Sequence, residues 1–209
     1  MAEPAVAELK LTEPDVEIVW RAFELRPEPV PTLDPAGEYL TRVWRDAVYP
    51  LAARMGITMH LPPIQPRSRR AHEAAKWAQV QGSLQNFNAA LFRAIFERGE
   101  DISDPDVLAQ LAAILELDAA SLRRALDSRE FEAAVLADER DAELLGVAGV
   151  PAFVASRRAI VSGVQPTAAL RQMIERVRMF DTGEPSAATT TTAPQALPLP
   201  ITRRRTQDD

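Results

Sequence analysis

One long run of helix signals, between Ser68 and Gly146, dominates this sequence. Five residues in it precede apolar residues at helical spacing, as helix caps do: Ser68, Ser83, Asp104, Asp118 and Ser128. Pro105 occupies a first helical position, and Gly82 and Gly99 follow two of the segments. The run therefore predicts a block of five helices over roughly eighty residues, without the internal repeat of a solenoid.

Segments with strand character flank this block. Residues from Val16 to Phe23 are rich in β-branched and aromatic side chains, which predicts a strand, and the prolines that follow predict an extended loop. After the block, the apolar runs 152–155 and 159–162 are separated by three polar residues, which predicts a β-hairpin. The turn 163–166 then leads into an amphipathic helix, whose predicted buried face carries Leu170, Met173, Ile174 and Val177.

A further helix is predicted between the first strand and the block. Asp34 and Pro35 give a cap and a first helical residue, Gly56 closes the segment, and Pro50 predicts a kink or break inside it. A lone strand, a helical block, a hairpin and a last helix, in this order, are typical of an α+β or α/β domain with a helical insertion.

Composition excludes several kinds of chemistry. The 209 residues contain no cysteine, so this chain alone builds no disulfide, thiolate zinc site, iron–sulfur cluster or cysteine nucleophile. A net charge of −6 disfavours nucleic acid and anionic membranes as partners. His60 and His72 are isolated, so we predict no metal site and no cofactor. No leader or membrane-length apolar run is present in the sequence, and we expect a cytoplasmic protein.

One motif carries a family resemblance. The run Gly146-Val147-Ala148-Gly149-Val150-Pro151-Ala152-Phe153-Val154 resembles the cis-proline loop before the third core strand of DsbA-like thioredoxin-fold proteins. Four further segments resemble that family in the same order: Trp20–Leu25, Arg70–Ala74, Ala90–Gly99 and Ser162–Pro166, the last as in its FrnE-like branch. The resemblance covers about residues 15–178.

The resemblance implies a fold and a domain division. We expect an α/β fold that is helix-rich overall, with an incomplete DsbA-type, thioredoxin-like sheet and a large helical insertion. Residues 1–62 and 147–180 would form the thioredoxin-like domain, 63–146 the insertion, and 181–209 a disordered tail. A βαβ unit needs about 30 residues, yet few residues precede Val16. The family's first strand, its Cys-x-x-Cys turn and most of its first helix are therefore missing from this sequence.

Two explanations account for the missing unit. Either the sequence starts too late and the unit lies upstream, or the chain is a degenerate member in which the sheet re-pairs or a homodimer covers the exposed strand. Family members of this kind are dithiol–disulfide oxidoreductases or isomerases that act on polypeptides or small thiols and disulfides. Because no cysteine is present, we expect this chain to be redox-inactive and predict no catalytic residue.

The predicted substrate-binding residues are Gly149, Val150 and Pro151, because a cis-proline turn exposes backbone groups that can pair with an extended substrate. A purely structural role in positioning the hairpin is the alternative for Pro151. Two other functions stay open. One is an enzyme like 2-hydroxychromene-2-carboxylate isomerase or kappa-class glutathione transferase, although the turn Gly163-Val164-Gln165-Pro166 favours the oxidoreductase branch. The other is a non-catalytic binding protein.

Two residue groups have competing interpretations. Six aromatic residues would line a pocket between helices and sheet or, as their helical spacing favours, form plain core: Trp20, Trp44, Trp77, Phe87, Phe92 and Phe96. Arg67, Arg69 and Arg70 would contact an anionic ligand such as glutathione at a helix start or, as we prefer, form a solvated first turn. Arg203, Arg204 and Arg205 are predicted to be solvated.

Overall fold

The structure is a computed structural model that describes residues 1–182, with side chains described as far as residue 180. Its helices are α1 (Glu3–Thr12), α2 (Glu38–Val43), α3 (Tyr49–Arg54), α4 (Arg69–Val80), α5 (Leu84–Phe96), α6 (Pro105–Ile114), α7 (Ala119–Asp127), α8 (Glu132–Leu144) and α9 (Thr167–Thr182), with a π-helical turn (Trp44–Val48) between α2 and α3. Two strands, β1 (Ala152–Ala155) and β2 (Ala159–Ser162), form an antiparallel hairpin. None of the described helices is long and apolar enough to cross a membrane.

The predicted helical block is α4 to α8. The Asp104 carboxylate accepts the N–H of Asp106 at the start of α6, and the Asp118 carboxylate accepts that of Ser121 at the start of α7, as N-cap residues do. These helices enclose a cluster of buried apolar side chains with Trp77, Phe87, Leu108, Leu122 and Leu126 among its members. The five predicted helices of the block are confirmed.

Two helix starts differ from the prediction. Helix α2 begins at Glu38 and not at Asp34, because the Asp34 carboxylate binds the N–H of Ala36 and its carbonyl binds that of Gly37, which forms a turn before the helix. Helix α8 begins at Glu132 and not at Ser128, because Ser128 caps the end of α7 and Arg129 has a left-handed φ of 53°. Side-chain turns and a left-handed residue each delay a helix that the apolar spacing allows.

Pro50 does not break its helix. It lies inside the continuous helical run 38–54, where its missing N–H removes one hydrogen bond to the preceding turn, and the π-helical turn directly before it, closed by the Tyr49 N–H on the Trp44 carbonyl, makes room for the proline ring. The predicted interruption therefore takes the form of a wider helical turn, and Trp44 at the start of that turn is buried.

A second cluster of buried apolar residues holds the hairpin. Leu9 of α1 packs with Leu170, Met173 and Ile174 of α9, and four hairpin side chains contact this cluster: Phe153, Ala155, Ala159 and Val161. Because side chains alternate along a strand, Val154 and the residue opposite it, Ile160, point to the other face of the hairpin, where both are exposed. Helices α1 and α9 thus cover one face of the hairpin.

The predicted strand at residues 16–23 is wrong. The segment is extended, and Val16 and Ile18 pack against the α1–α9 cluster, but it has no regular secondary structure. A strand needs a neighbour that accepts and donates along its backbone. Within the described part of the chain, no backbone-to-backbone hydrogen bond joins residues 17–25 to another segment.

The domain division stays a prediction. The two apolar clusters, one in α4–α7 and one around α1, α9 and the hairpin, agree in position with the insertion and the thioredoxin-like domain that the sequence predicts. Of the predicted tail, 181–209, only the last two residues of α9 fall within the described chain, and 183–209, with Arg203 to Arg205, lie outside it.

We expect Phe87→Ala to lower the free energy of unfolding by about 3–5 kcal/mol, because Phe87 is fully buried and its removal leaves a cavity. Phe92→Ala, in the same helix, is the matched control: Phe92 is 44% exposed, and we expect a loss below about 1 kcal/mol. Urea unfolding followed by circular dichroism measures both. Equal losses would contradict the assignment of Phe87 to the core.

Candidate functional site

The predicted substrate-binding residues lie in the loop that connects α8 to β1. Val150 is 49% exposed, Gly149 and Pro151 are partly buried, and the Val150–Pro151 peptide bond is cis. The carbonyl of Pro151 accepts the N–H of Gly163 at 2.8 Å, so the hairpin pairing continues one residue beyond the strands. Pro151 is therefore fixed against the hairpin, directly after the exposed Val150.

The strand after this loop has an open edge. Because residues of an antiparallel pair alternate between hydrogen-bonded and non-hydrogen-bonded positions, the Pro151–Gly163 bond and the register Phe153↔Val161 direct the backbone groups of Ala152 and Val154 away from β2. No partner for these groups occurs among the described residues. The loop and this edge together form a backbone surface that an added extended chain would fit.

A cleft of about 190 Å³ lies between α1, the extended segment and α5. Trp20, Glu3 and Lys10 line it from one side and Gln85 and Asn88 from the other, with two small apolar side chains of α1. Of the six predicted aromatic residues, Trp20 lines this cleft, although the cleft is bounded by α1 and α5 and no hairpin residue contributes to it. Trp77 and Phe87 belong to the core of the helical block, as the core interpretation holds.

The other predicted aromatic residues form a separate group. Trp44 contacts the rings of Tyr49 and Phe96 at 5.4 and 6.0 Å between centroids, and Phe92 stacks on Phe96 at 6.3 Å. These rings pack the π-helical turn against the end of α5 and do not line the cleft.

A buried aspartate joins the extended segment to the helical block. Asp138 of α8 is 3% exposed; its Oδ1 accepts a hydrogen bond from the Arg21 guanidinium at 2.8 Å. Its Oδ2 accepts the backbone N–H of Ala22 at 2.8 Å and lies 2.5 Å from Nζ of Lys76 in α4. Asp138 therefore takes the place of a neighbouring strand for the backbone of residue 22.

A second polar group lies beside it, which we name the carboxylate cluster: Glu24, Glu73, Glu132 and Glu139 around Arg69. The Arg69 guanidinium hydrogen-bonds Glu24 and lies 3.5 Å from Glu139 and 3.8 Å from Glu132. Glu73 follows Arg69 by one turn of α4 and is 4% exposed. The cluster connects the extended segment to both α4 and α8.

Burial shifts the pKa values of three acidic side chains in this region: Glu139, Glu73 and Asp138. Burial raises the pKa of Glu139 and the adjacent Glu24 carboxyl raises it further; burial and then Glu132 raise the pKa of Glu73. Burial also opposes ionisation of Asp138, but the hydrogen bonds from Lys76, Ala22 and Arg21 outweigh it and hold the pKa of Asp138 below its ordinary value.

The residues of the predicted basic group have partners within the chain. Arg69 is held by the carboxylate cluster, and Arg67 donates to the carbonyl of Arg26 at 2.9 Å and lies 3.5 Å from Glu28. The solvated first turn is wrong for Arg67 and Arg69, because their side chains are partly buried against these acidic and carbonyl groups. The anionic ligand, and the solvated position of Arg70, stay predictions.

The two histidines have different surroundings. Burial lowers the pKa of His72, whose Nε2 is 3.2 Å from the carbonyl of Phe23, and this contact only partly offsets the burial. His60 is exposed. No group of three or more acidic or histidine side chains in residues 1–180 has a geometry that could hold a metal ion.

Sequence reasoning predicts the loop and Trp20 but misses Asp138 and the carboxylate cluster. Asp138 is one of six charged residues in α8, and nothing in its spacing separates it from the exposed ones. Glu24, an acidic residue directly after an apolar run, is the one signal that could have indicated a buried charge.

Comparisons with known proteins agree with this architecture. A model of the DSBA-like thioredoxin domain matches residues 1–175. The chain belongs to the DSBA-like thioredoxin domain family. It superposes on a probable DsbA oxidoreductase from Streptomyces coelicolor with a TM-score of 0.64 and 25% identity, over 92% of this chain and 88% of that one. The predicted fold class, a helix-rich DsbA-type fold with a small sheet, is thereby confirmed.

Two further relatives extend the comparison. The chain is 33% identical to the protein YwbO of Bacillus subtilis over 121 residues, a match that spans 56% of this chain and 60% of YwbO. A 2-hydroxychromene-2-carboxylate isomerase shares the fold with a TM-score of 0.58 at 15% identity, over 85% of this chain and 80% of that one. Both enzyme types that the sequence raised therefore share this DsbA-like fold.

We expect Asp138→Asn to lower the free energy of unfolding by about 3 kcal/mol, because it leaves Lys76 without its buried counter-charge. Asp141→Asn in the same helix is the control: its pair with Arg157 is exposed on both sides, and we expect less than about 1 kcal/mol. Chemical unfolding at pH 7 measures both variants.

The wild type and the Asp138→Asn variant should also differ in how much stability they lose at acid pH. Since the folded pKa of Asp138 is lowered, its contribution is present above the ordinary value of 3.8 and is lost as the pH falls through the folded value. Asp138→Asn should therefore lose less stability than the wild type between pH 5 and pH 2. An identical acid loss in both would contradict the role assigned to this carboxylate.

Proposed function

We propose that this chain is a FrnE-like member of the DsbA family that binds extended polypeptides through its backbone and carries no thiol–disulfide exchange of its own. The observation that carries the proposal is the open edge of β1 beside the loop Gly149–Pro151, in a chain of 209 residues without cysteine. Exchange requires a thiolate to attack a disulfide, and these residues supply none. Binding requires only unpaired backbone groups and a rigid support.

The rigid support comes from the hairpin and its packing. Pro151 is joined to Gly163 by a hydrogen bond, and Phe153 anchors β1 in the α1–α9 cluster. The backbone groups of Ala152 and Val154 are therefore ordered before a ligand arrives, which lowers the entropy cost of binding. Exposed Val150 and Val154 offer apolar contacts beside these groups.

A small-molecule function is the second candidate, and the cleft beside Trp20 favours it. Trp20, two amide side chains, Glu3 and Lys10 line a volume of about 190 Å³, which is smaller than a typical pocket for a drug-sized ligand and would take a small polar molecule. The fold shared with the isomerase is compatible with this alternative. Trp20→Phe would weaken small-molecule binding at the cleft and leave polypeptide binding at β1 unchanged.

The cytoplasmic location and a homodimer stay predictions.

The binding proposal is tested by prolines at the two edges of the hairpin. We expect Val154→Pro to weaken binding of a reduced, carboxymethylated protein by about tenfold, because it removes an N–H that points away from β2. Ile160→Pro is the matched control: it removes the outward N–H of the residue directly opposite, on the other edge. Fluorescence anisotropy measures binding, and thermal unfolding checks both folds. Equal binding by both variants would contradict polypeptide binding at the open edge of β1.

The chemical half of the proposal has its own test. We expect these 209 residues to give no reduction of insulin above the rate of dithiothreitol alone, since no thiol is present. An active family member assayed in parallel confirms that the assay works. Turnover by this chain would show that the account of its chemistry is wrong.

A further inference from the structure

The carboxylate cluster has more acid than the groups around it can neutralise. Arg69 is the cation at its centre, and it faces Glu24, Glu139 and Glu132 at the same time. Glu24 and Glu73 are buried and Glu139 nearly so. Several buried carboxylates around one guanidinium are not stable when all are ionised, because each lacks its hydration and repels the others.

The neighbouring cations do not neutralise the remaining negative charge of the carboxylate cluster. Lys76 of α4 and Arg21 of the extended segment are bound to Asp138, and His72 has a lowered pKa and faces a carbonyl. Arg129, before α8, lies 3.7 Å from Glu132 but is largely exposed, so solvent weakens its effect. Arg70 of α4 acts on Glu73 electrostatically, without a hydrogen bond to it among the described contacts.

Two carboxyl oxygens of the cluster lack the hydrogen bonds that an ionised carboxylate needs. Oε2 of Glu73 and Oε1 of Glu139 are buried and have no hydrogen-bond partner among the described residues. Such an oxygen is costly as part of a carboxylate, because an ionised group needs several donors. As part of a carboxylic acid it carries its own proton and can donate to a neighbouring carboxylate.

We propose that the carboxylate cluster is a proton-binding site that controls how firmly the extended segment 20–24 is held on α4 and α8. With a proton bound, Glu139 is a carboxylic acid that donates to the Glu24 carboxylate, and Arg69 neutralises the remaining charge. When the proton leaves, Glu24 faces an additional negative charge, and its attachment to the helices weakens. Trp20 lies in the same segment and lines the cleft, so the release loosens one wall of the cleft.

The direction of the pH dependence follows from the two raised groups. Glu139 and Glu73 bind protons more tightly in the folded chain, so their contribution is complete below the ordinary value of 4.5 and is lost as the pH rises through their folded values. Asp138 acts in the opposite sense and only in strong acid. The segment is therefore held best in mildly acidic solution and less well as the pH rises.

Hydrogen exchange of the full chain tests the proposal. After correction for intrinsic rates, we expect exchange of the amides in residues 20–25 to increase severalfold between pH 4.5 and pH 8.5, because the bound proton is lost as the pH rises from the ordinary glutamate value of 4.5. Glu139→Gln should remove this increase, because an amide is neutral at every pH. Glu143→Gln, at an exposed position one turn further along α8, is the control and should keep it.

The outcomes are distinct. A wild type without the increase, or a Glu139→Gln variant that keeps it, overturns the proposal. Should Glu139→Gln fail to fold, carbon-13 NMR of the glutamate side chains in the wild type decides instead: a carboxyl that titrates clearly above the ordinary glutamate value of 4.5 supports the site, and the absence of any such carboxyl overturns it. The proposal does not depend on polypeptide binding at β1, because exchange is measured without a ligand.

Discussion

The contact between Asp138 and the backbone of Ala22 is the interaction on which the arrangement of this chain depends. Residues 17–25 have no strand beside them within the described chain, and an extended segment without a ladder has no regular way to satisfy its backbone. The carboxylate of Asp138 binds the N–H of residue 22 and, through Arg21 and Lys76, joins the segment to α4 and α8. This buried side chain thus joins the extended segment to the helical block, next to the carboxylate cluster.

A polar junction behaves differently from an apolar one. Apolar clusters tolerate rearrangement as long as volume is filled, whereas a buried ion pair is stable only in one geometry and leaves a costly charge when one partner is lost. Glu24 and Arg69 extend the same kind of bond along the segment. The excess of carboxylates around Arg69 is the basis of the pH dependence that we propose for this junction, whereas the two apolar clusters contain no titratable side chain.

Much of the fold is predictable because it rests on local signals. Asp104 and Asp118 cap their helices through their own side chains, and the hairpin follows from two apolar runs around a polar turn. The segment 16–23 has the composition of a strand, but a strand also needs a neighbour, which composition does not supply. Within the candidate site, the loop 149–151 is predictable from its motif. Asp138 cannot be told from the other charged residues of α8 by sequence, because only the packing of the helices buries it.

The sequence by itself determined the helical block, the hairpin, the family resemblance and the absence of cysteine from these 209 residues, because each depends on residue identity or on spacing along the chain. Only the tertiary structure decided which charges are buried, which edge of the hairpin is open, and that Trp20 lines a cleft. The physical reason is distance along the chain: Asp138 and Ala22 are 116 residues apart, and their contact exists only when the extended segment, α4 and α8 meet.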